Sequence, residues 1–281
     1  MEGGKRLKID SHQHFWIYNE NEYGWIGDNE WKLKRDFLPH HLEAILANND
    51  FEGSIVVQAR QTLEETNWLL ELAEQYDFIK GVVGWLDLCS DKVETELERL
   101  SKYSFLKGIR HIIHDEQDER FMLRREFKNG ISKLQQFGLT YDLLLFPKHL
   151  PYALELVEEF QNQPFVLDHL SKPFIKDATI TPWENNIQKL AKFSNVHCKL
   201  SGMVTEADWD NWKQDDFTPY LDVIFREFGK ERVMIGSDWP VCTLSRDYDT
   251  VMKIVLDYIK DFPKEDQDLI LGGNCKRFYH L

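Results

Sequence analysis

The sequence predicts an α/β fold, a (β/α)8 TIM barrel in a single domain over residues 1–281, and three observations predict it. Eight short runs of aliphatic and β-branched residues begin near Leu7, Ser54, Lys80, Lys107, Thr140, Phe165, Val196 and Arg232, roughly 25 to 47 residues apart, as strand-plus-helix units require. Between the runs, apolar residues recur with helical period. The runs also end in polar side chains, which strands of a parallel sheet otherwise exclude, and a barrel gathers its strand ends on the face where active sites lie.

The first run, Leu7-Lys8-Ile9, leads into Asp10-Ser11-His12-Gln13-His14. Side chains two apart on a strand share a face, so His12 and His14, with Asp10, are expected to aim into one space, the geometry of a metal or oxyanion site. The second run, Ser54-Ile55-Val56-Val57, ends at Gln58, and Glu64 to Tyr76 then carries Thr66, Leu69, Leu70 and Ala73 at helical spacing. The third ends at Trp85 with Asp87 beyond it, and Ser90-Asp91 offers a helix cap before Val93-Glu94. The fourth ends at Arg110 and His111, ahead of a helical pattern over Phe127 to Phe137. The fifth carries Asp142, and the sixth, Phe165-Val166-Leu167, ends at Asp168 and His169. The seventh presents Lys199 and Ser201, with His197 deeper on the same face, and Thr205 reads as a cap before Glu206. Pro219 to Phe228 forms the next helical stretch, and the last run, Val233-Met234-Ile235-Gly236-Ser237, ends at Asp238.

For single members of this set a structural role competes. Asp87, Asp142 and Asp168 also read as helix caps or hydrogen-bond partners, and His111 and His114 as satisfied loop histidines. His40, His41, His149 and His280 fall on helical or loop segments and are expected to be solvated, whereas His197 is expected to pack inside the barrel. A doubly wound open sheet is the rival architecture, but no glycine-rich phosphate loop follows the first strand.

A chain of 281 residues can build one large core. Its 42% hydrophobic and 29% charged residues are those of an ordinary globular protein. The formal net charge of -14, from 34 basic and 48 acidic residues, leaves no basic footprint for nucleic acid or an anionic membrane. A small molecule is the expected partner, and an anionic one would need a local cluster of Arg, Lys and His. Met1 to Lys8 shows no apolar signal region, and no segment offers about 18 consecutive apolar residues, so a cytoplasmic location is expected. Cys89, Cys198, Cys242 and Cys275 are scattered without a C-x-x-C pair and read as small hydrophobes. No linker or low-complexity tract marks a second domain, and the oligomeric state is left open.

The segments DSHQHFW, FLKGIRHIIHDE, FVLDHLSKP, CKLSG and GSDWP, in this order, resemble the amidohydrolase superfamily. More narrowly they are similar to its amidohydrolase-related TIM-barrel lactone hydrolases, the group with L-fuconolactonase-like and L-rhamnonolactonase-like enzymes. The resemblance spans essentially the whole chain and implies that His12, His14, His169 and Asp238 surround a reacting carbonyl. Binuclear members of the superfamily bridge two metals with a carboxylated lysine or a glutamate, whereas Arg110 and His111 stand at the end of the fourth strand here. At most one divalent ion, zinc foremost, is therefore expected on His12, His14, His169 and Asp238, and the branch also implies that a metal-independent site is open.

Lactone hydrolysis needs a water deprotonated as it attacks and a place for negative charge on the former carbonyl oxygen. Asp238 is the expected general base, with the histidines, with or without a metal, polarising the carbonyl. Arg110 suits the substrate because a guanidinium grips carboxylates or paired hydroxyls through two bonds. Gln58, His111 and Lys199 are expected hydroxyl or carbonyl partners. Trp85, with Trp16 and Trp239, can cover a sugar ring, core packing being the alternative. Two other functions stay open: a metal-dependent nonoxidative decarboxylase of the same superfamily, and a non-catalytic barrel that binds a sugar acid.

Overall fold

A computed structural model describes residues 7–281. Met1 to Arg6, most of the stretch read above for a signal segment, lie outside the described residues. Eight parallel strands, β1 (Ile9–Gln13), β2 (Gly53–Val57), β3 (Ile79–Gly84), β4 (Leu106–His111), β5 (Thr140–Leu143), β6 (Phe165–Leu167), β7 (Val196–Leu200) and β8 (Val233–Ile235), pair in sequence order. Just beyond β8 the chain returns to β1: Asp238 N donates to His12 O at 2.8 Å and His14 N to Trp239 O at 2.7 Å. The barrel is thus closed by the residues that carry the strand-end chemistry.

Helices α1 (Pro39–Asn48), α2 (Leu63–Gln75), α3 (Val93–Leu100), α4 (Arg125–Leu134), α5 (Leu150–Glu159), α6 (Trp183–Leu190), α7 (Thr218–Phe228) and α8 (Tyr248–Tyr258) follow the strands in turn. Two short helices, α9 (Lys264–Asp268) and α10 (Asn274–Phe278), complete the chain. Thr62 starts α2 by accepting from Glu65 N, and Asp247 starts α8 by accepting from Thr250 N. The cap expected at Thr205 is not one: this residue lies in a short 3-10 turn and its hydroxyl donates to Gly202 O at 2.7 Å.

Alternation along the strands divides two cores. Val56, Ile109, Tyr141, Phe165 and Leu167 face the helices, while Ile9, Ile55, Val57, Val83, Val166 and Met234 face inward against Cys275, Phe278 and Tyr279. The C-terminal helix α10 and its next residue therefore plug the bottom of the barrel. His197 packs its ring on Phe278 there, with centroids 4.7 Å apart, and burial lowers its imidazole to about 4.

Above this apolar plug lies a fully buried layer of charge. Lys199 Nζ donates to Asp142 and stands 3.0 Å from Asp168, whose other oxygen is 3.0 Å from Arg110. Tyr279 OH donates to Asp142 from below at 2.9 Å. Charges removed from water persist only when paired and hydrogen-bonded, and two carboxylates meet two cations here.

Cys198, Cys242 and Cys275 are buried and Cys89 partly so, and none of the four is paired. His40, His41 and His280 are exposed. His149 is not: it is buried, and its Nδ1 accepts the Phe146 backbone N–H at 3.2 Å, a local capping bond that removes it from solvent. Among the described residues no helix is long and apolar enough to cross a membrane.

Candidate active site

The site begins at a defect in β1. Ile9 and Asp10 pair with Gly53 and Ser54, but Gln13 pairs with Val56, so β1 spends one more residue than β2 over this stretch. The bulge breaks the period of two. Asp10 is turned away from the shared space that strand alternation predicts, and its carboxylate accepts from Ser237 N at 2.9 Å, Ser237 Oγ at 2.6 Å and His12 N at 3.1 Å. It fastens β1 to β8 instead. His12 and His14 both point inward, their Nε2 atoms 3.2 Å apart.

Each imidazole is oriented by a bond on its other nitrogen. His14 Nδ1 donates to Val57 O at 2.7 Å, and its Nε2 lies 3.2 Å from Asp238 Oδ1. His12 turns Nδ1 toward Asp168 Oδ1 at 3.3 Å, while Arg110 donates toward its Nε2 at 3.3 Å. His169 bonds Ser201 Oγ through Nδ1 at 2.8 Å and places Nε2 3.7 Å from Asp238 Oδ1. Burial pushes both His12 and His169 well below the ordinary imidazole value, so they stand neutral. Burial alone would raise Asp238, but His169 and the His14 contact outweigh it and hold this carboxyl below its usual value.

Backbone conformation sets the two outer groups. Residues 169 to 172 all lie in the left-handed region, with φ of 54°, 53°, 58° and 51°, and Asp238 has φ of 59°. Such conformations cost L-residues roughly 1–2 kcal/mol each and persist where the surroundings fix them. Gly202 makes room: a Cβ there would fall 2.5 Å from the His169 ring, and its own φ is +61°. Gly202→Ala is therefore expected to shift His169 and to lower both activity and thermal midpoint, the conformational cost alone being about 1 kcal/mol or more. Unchanged turnover and melting would show that the ring has slack.

The donor set fits a single metal ion. His12 Nε2, His14 Nε2 and Asp238 Oδ1 converge with separations of 3.2 Å, 3.2 Å and 3.8 Å, and His169 Nε2 stands 3.7 Å from the same Asp238 oxygen. Ligands tetrahedral about zinc at 2.0–2.1 Å stand about 3.3 Å from each other. The His12, Asp168, His169 trio is also close, but Asp168 already serves Arg110, Lys199 and His12. Against the upward push of burial, those neighbours hold it well below the usual carboxylate range.

His14, His169, Asp238 and Arg110 form the floor of a cavity of about 440 Å³, and Trp25, Phe146, Trp209, Val241 and Leu244 contribute its apolar wall. His12 lies just beneath the floor. Lys199 lies deeper, in the charged layer, and does not reach the cavity. Gln58 is spent on Arg110: its side-chain oxygen accepts from Nε at 3.0 Å and Nη2 at 2.7 Å, and its carbonyl accepts from Nη2 as well. With Nη1 on Asp168 and His12, all five guanidinium protons are used inside the protein, so the expected two-pronged grip on a substrate has no free prongs. Trp85 and His111 pair with each other at 3.2 Å, and His111 bonds Glu116 at 2.7 Å, outside the cavity wall. Trp16 and Trp239 are core residues, 0% and 3% exposed. Asp87 is an exposed turn residue that accepts from Cys89 N. The aromatic walls Trp25 and Trp209, which the sequence reading missed, stand in the loops after β1 and β7; their place in strand-following loops is the signal that marks them.

Fold and site together define a barrel hydrolase of the His-x-His type, and the comparisons agree. The family model described as amidohydrolase matches residues 9–281, so the chain belongs to the amidohydrolase family. It is 37% identical to an L-fucono-1,5-lactonase of Burkholderia multivorans, over 98% of this chain and 96% of that one. An L-fucono-1,5-lactonase of Burkholderia ambifaria is 32% identical, again over 98% and 96%. The crystal structure of an amidohydrolase from Burkholderia multivorans with bound zinc superposes with a TM-score of 0.94 at 37% identity, covering 98% of this chain and 99% of that one.

Proposed function

We propose that the chain, acting as one unit, is a hydrolase that opens the lactone ring of a sugar-derived aldonolactone, of the L-fucono or L-rhamnono kind, to the sugar acid. The convergence of His14, His169 and Asp238 at the floor of a partly aromatic cavity carries this reading. Relatives named as lactonases at 37% and 32% identity support it and do not favour a decarboxylase. The paired imidazole and carboxylate groups argue against a barrel that only binds.

Asp238 takes a proton from water as the water oxygen bonds to the lactone carbonyl carbon, and the carbonyl π electrons move to oxygen. His14 and His169 face that developing charge, and His12 backs them from beneath the floor. When the carbon–oxygen double bond re-forms, the ring oxygen leaves and recovers the proton from Asp238. A divalent ion, zinc foremost, would be held by His12, His14, His169 and Asp238 and would supply Lewis acidity to the carbonyl. Arg110 keeps the floor electropositive and orients His12, while Gln58 and Lys199 hold Arg110 and Asp168 in place. His111 and Trp85 shape the loop behind the wall. A cytoplasmic location belongs to the same proposal, in keeping with four unpaired cysteines.

A pH-indicator screen of aldonolactones beside aromatic carboxylic acids tests the reading. Turnover of a lactone is expected, and carbon dioxide release without lactone opening would overturn it. Elemental analysis should find at most one equivalent of divalent metal per chain, because Arg110 and His111 stand at the end of β4 in place of a bridging lysine or glutamate; two equivalents would sink the mononuclear site. Chelation is expected to cost only part of the turnover, since an activated ester can be polarised by imidazole donors alone.

A further inference from the structure

One polar feature of the cavity wall is unused by the chemistry at Asp238. Lys172 Nζ lies 2.6 Å from Glu206 Oε1, both residues line the cavity, and their side chains are only 16% and 19% accessible. Lys172 comes from the loop after β6 and Glu206 from the loop after β7. The pair is held firmly. Thr205 Oγ1 lies 3.2 Å from Glu206 Oε1, Trp209 Nε1 donates to Thr205 O at 3.0 Å, and Lys176 N donates to Glu206 O at 2.9 Å.

Lys172 is also tied in register to the reaction centre. It ends the left-handed turn that begins at His169, and its backbone N–H donates to His169 O at 2.7 Å. The backbone that carries the ammonium is thus at a fixed remove from His169, and Glu206 holds the ammonium itself. A ring hydroxyl can donate one hydrogen bond and accept others, and a partly desolvated carboxylate beside an ammonium offers the matching acceptor and donor.

We propose that the Lys172–Glu206 pair reads the orientation of a hydroxyl on the lactone ring and so sets which epimer is opened. The inference rests on the lactonase reading and deepens it. Inverting one ring carbon moves its hydroxyl away from Glu206 while the carbonyl stays at His169, leaving the pair to face carbon. A site built to bond a hydroxyl rejects analogues that cannot supply it, and loss of one charged hydrogen bond corresponds to about 10- to 100-fold.

The test is kcat/KM for the wild type, Glu206→Gln and Lys172→Met on 1,5-aldonolactones that differ at single ring carbons. The wild type should favour one configuration by about tenfold or more. Each variant should lose about 10- to 100-fold on that epimer and little on the others, flattening the ratio. Thr205→Val removes the hydroxyl beside Glu206 together with its bond to Gly202 O and should lower the same ratio by less; because the ratio cancels any loss common to all epimers, the test stays decisive if a charge variant misfolds. An even loss across all epimers, an unchanged ratio, or a wild type indifferent to configuration overturns the inference while the lactonase reading stands. A wild type that opens no lactone overturns both.

Discussion

Asp238→Asn is expected to reduce lactone turnover by about 10² to 10⁴ with the fold intact, the range general-base catalysis contributes. The amide is nearly isosteric but cannot take the water's proton. Asparagine is also the appropriate replacement for the backbone, because residue 238 sits at φ of 59°, where Asn is tolerated and Ala is not. The bond from its N–H to His12 O, which helps close the barrel, survives the change. A pH profile sharpens the prediction. His169 and His14 outweigh burial and hold the Asp238 carboxyl below its ordinary value, so the base form persists at neutral pH and is lost only as pH falls through that lowered pKa. The acid limb of wild-type kcat/KM should therefore lie below the usual carboxylate range and should disappear in the variant. Near-wild-type turnover by correctly folded Asp238→Asn would remove this residue from the reaction.

Lys199→Met carries the largest expected effect on stability. Lys199 is fully buried between Asp142 and Asp168, and its removal leaves two carboxylates with Arg110 and the Tyr279 hydroxyl as their main compensation. Breaking a buried pair by deleting one partner costs about 3–5 kcal/mol. The companion variant Lys199→Met/Asp142→Asn removes one charge of each sign and should recover part of that loss. Urea denaturation of both variants is the measurement, and a loss near the ~0–1 kcal/mol of a surface pair would refute the buried-layer account. The layer also has a bearing on the site, since Asp168 orients His12 through Nδ1 at 3.3 Å. The single variant should accordingly lose turnover as well as stability.

Much of this was legible in the chain. The eight expected strand starts fall within two residues of the observed ones, because apolar runs bounded by turns report burial locally. Helix signals read equally well where the apolar period was long, as in α2 and α7. The residues after β1, β6 and β8 were identifiable because a carboxylate or imidazole at the end of an apolar strand is out of place unless something there uses it. His149 was misplaced because a capping bond to Phe146 depends on loop geometry that no periodicity encodes.

By itself, then, the sequence determined the alternation of strand and helix and the eight-stranded barrel, and its resemblance to the amidohydrolases singled out His12, His14, His169 and Asp238. Only the tertiary structure decided how each polar group is spent. A one-residue bulge turned Asp10 out of the site toward Ser237. Gln58, 52 residues from Arg110 along the chain, took up three of its hydrogen bonds, and Lys199 sank below the floor to meet Asp142 and Asp168. The walls came from loops, Trp25, Lys172, Glu206 and Trp209, that carry no strand or helix period. Strand periodicity fixes which side of a sheet a residue faces, because it is a property of neighbouring backbone angles. Depth in the barrel and the satisfaction of a donor depend on partners that arrive from distant strands, and those meet only when the sheet closes.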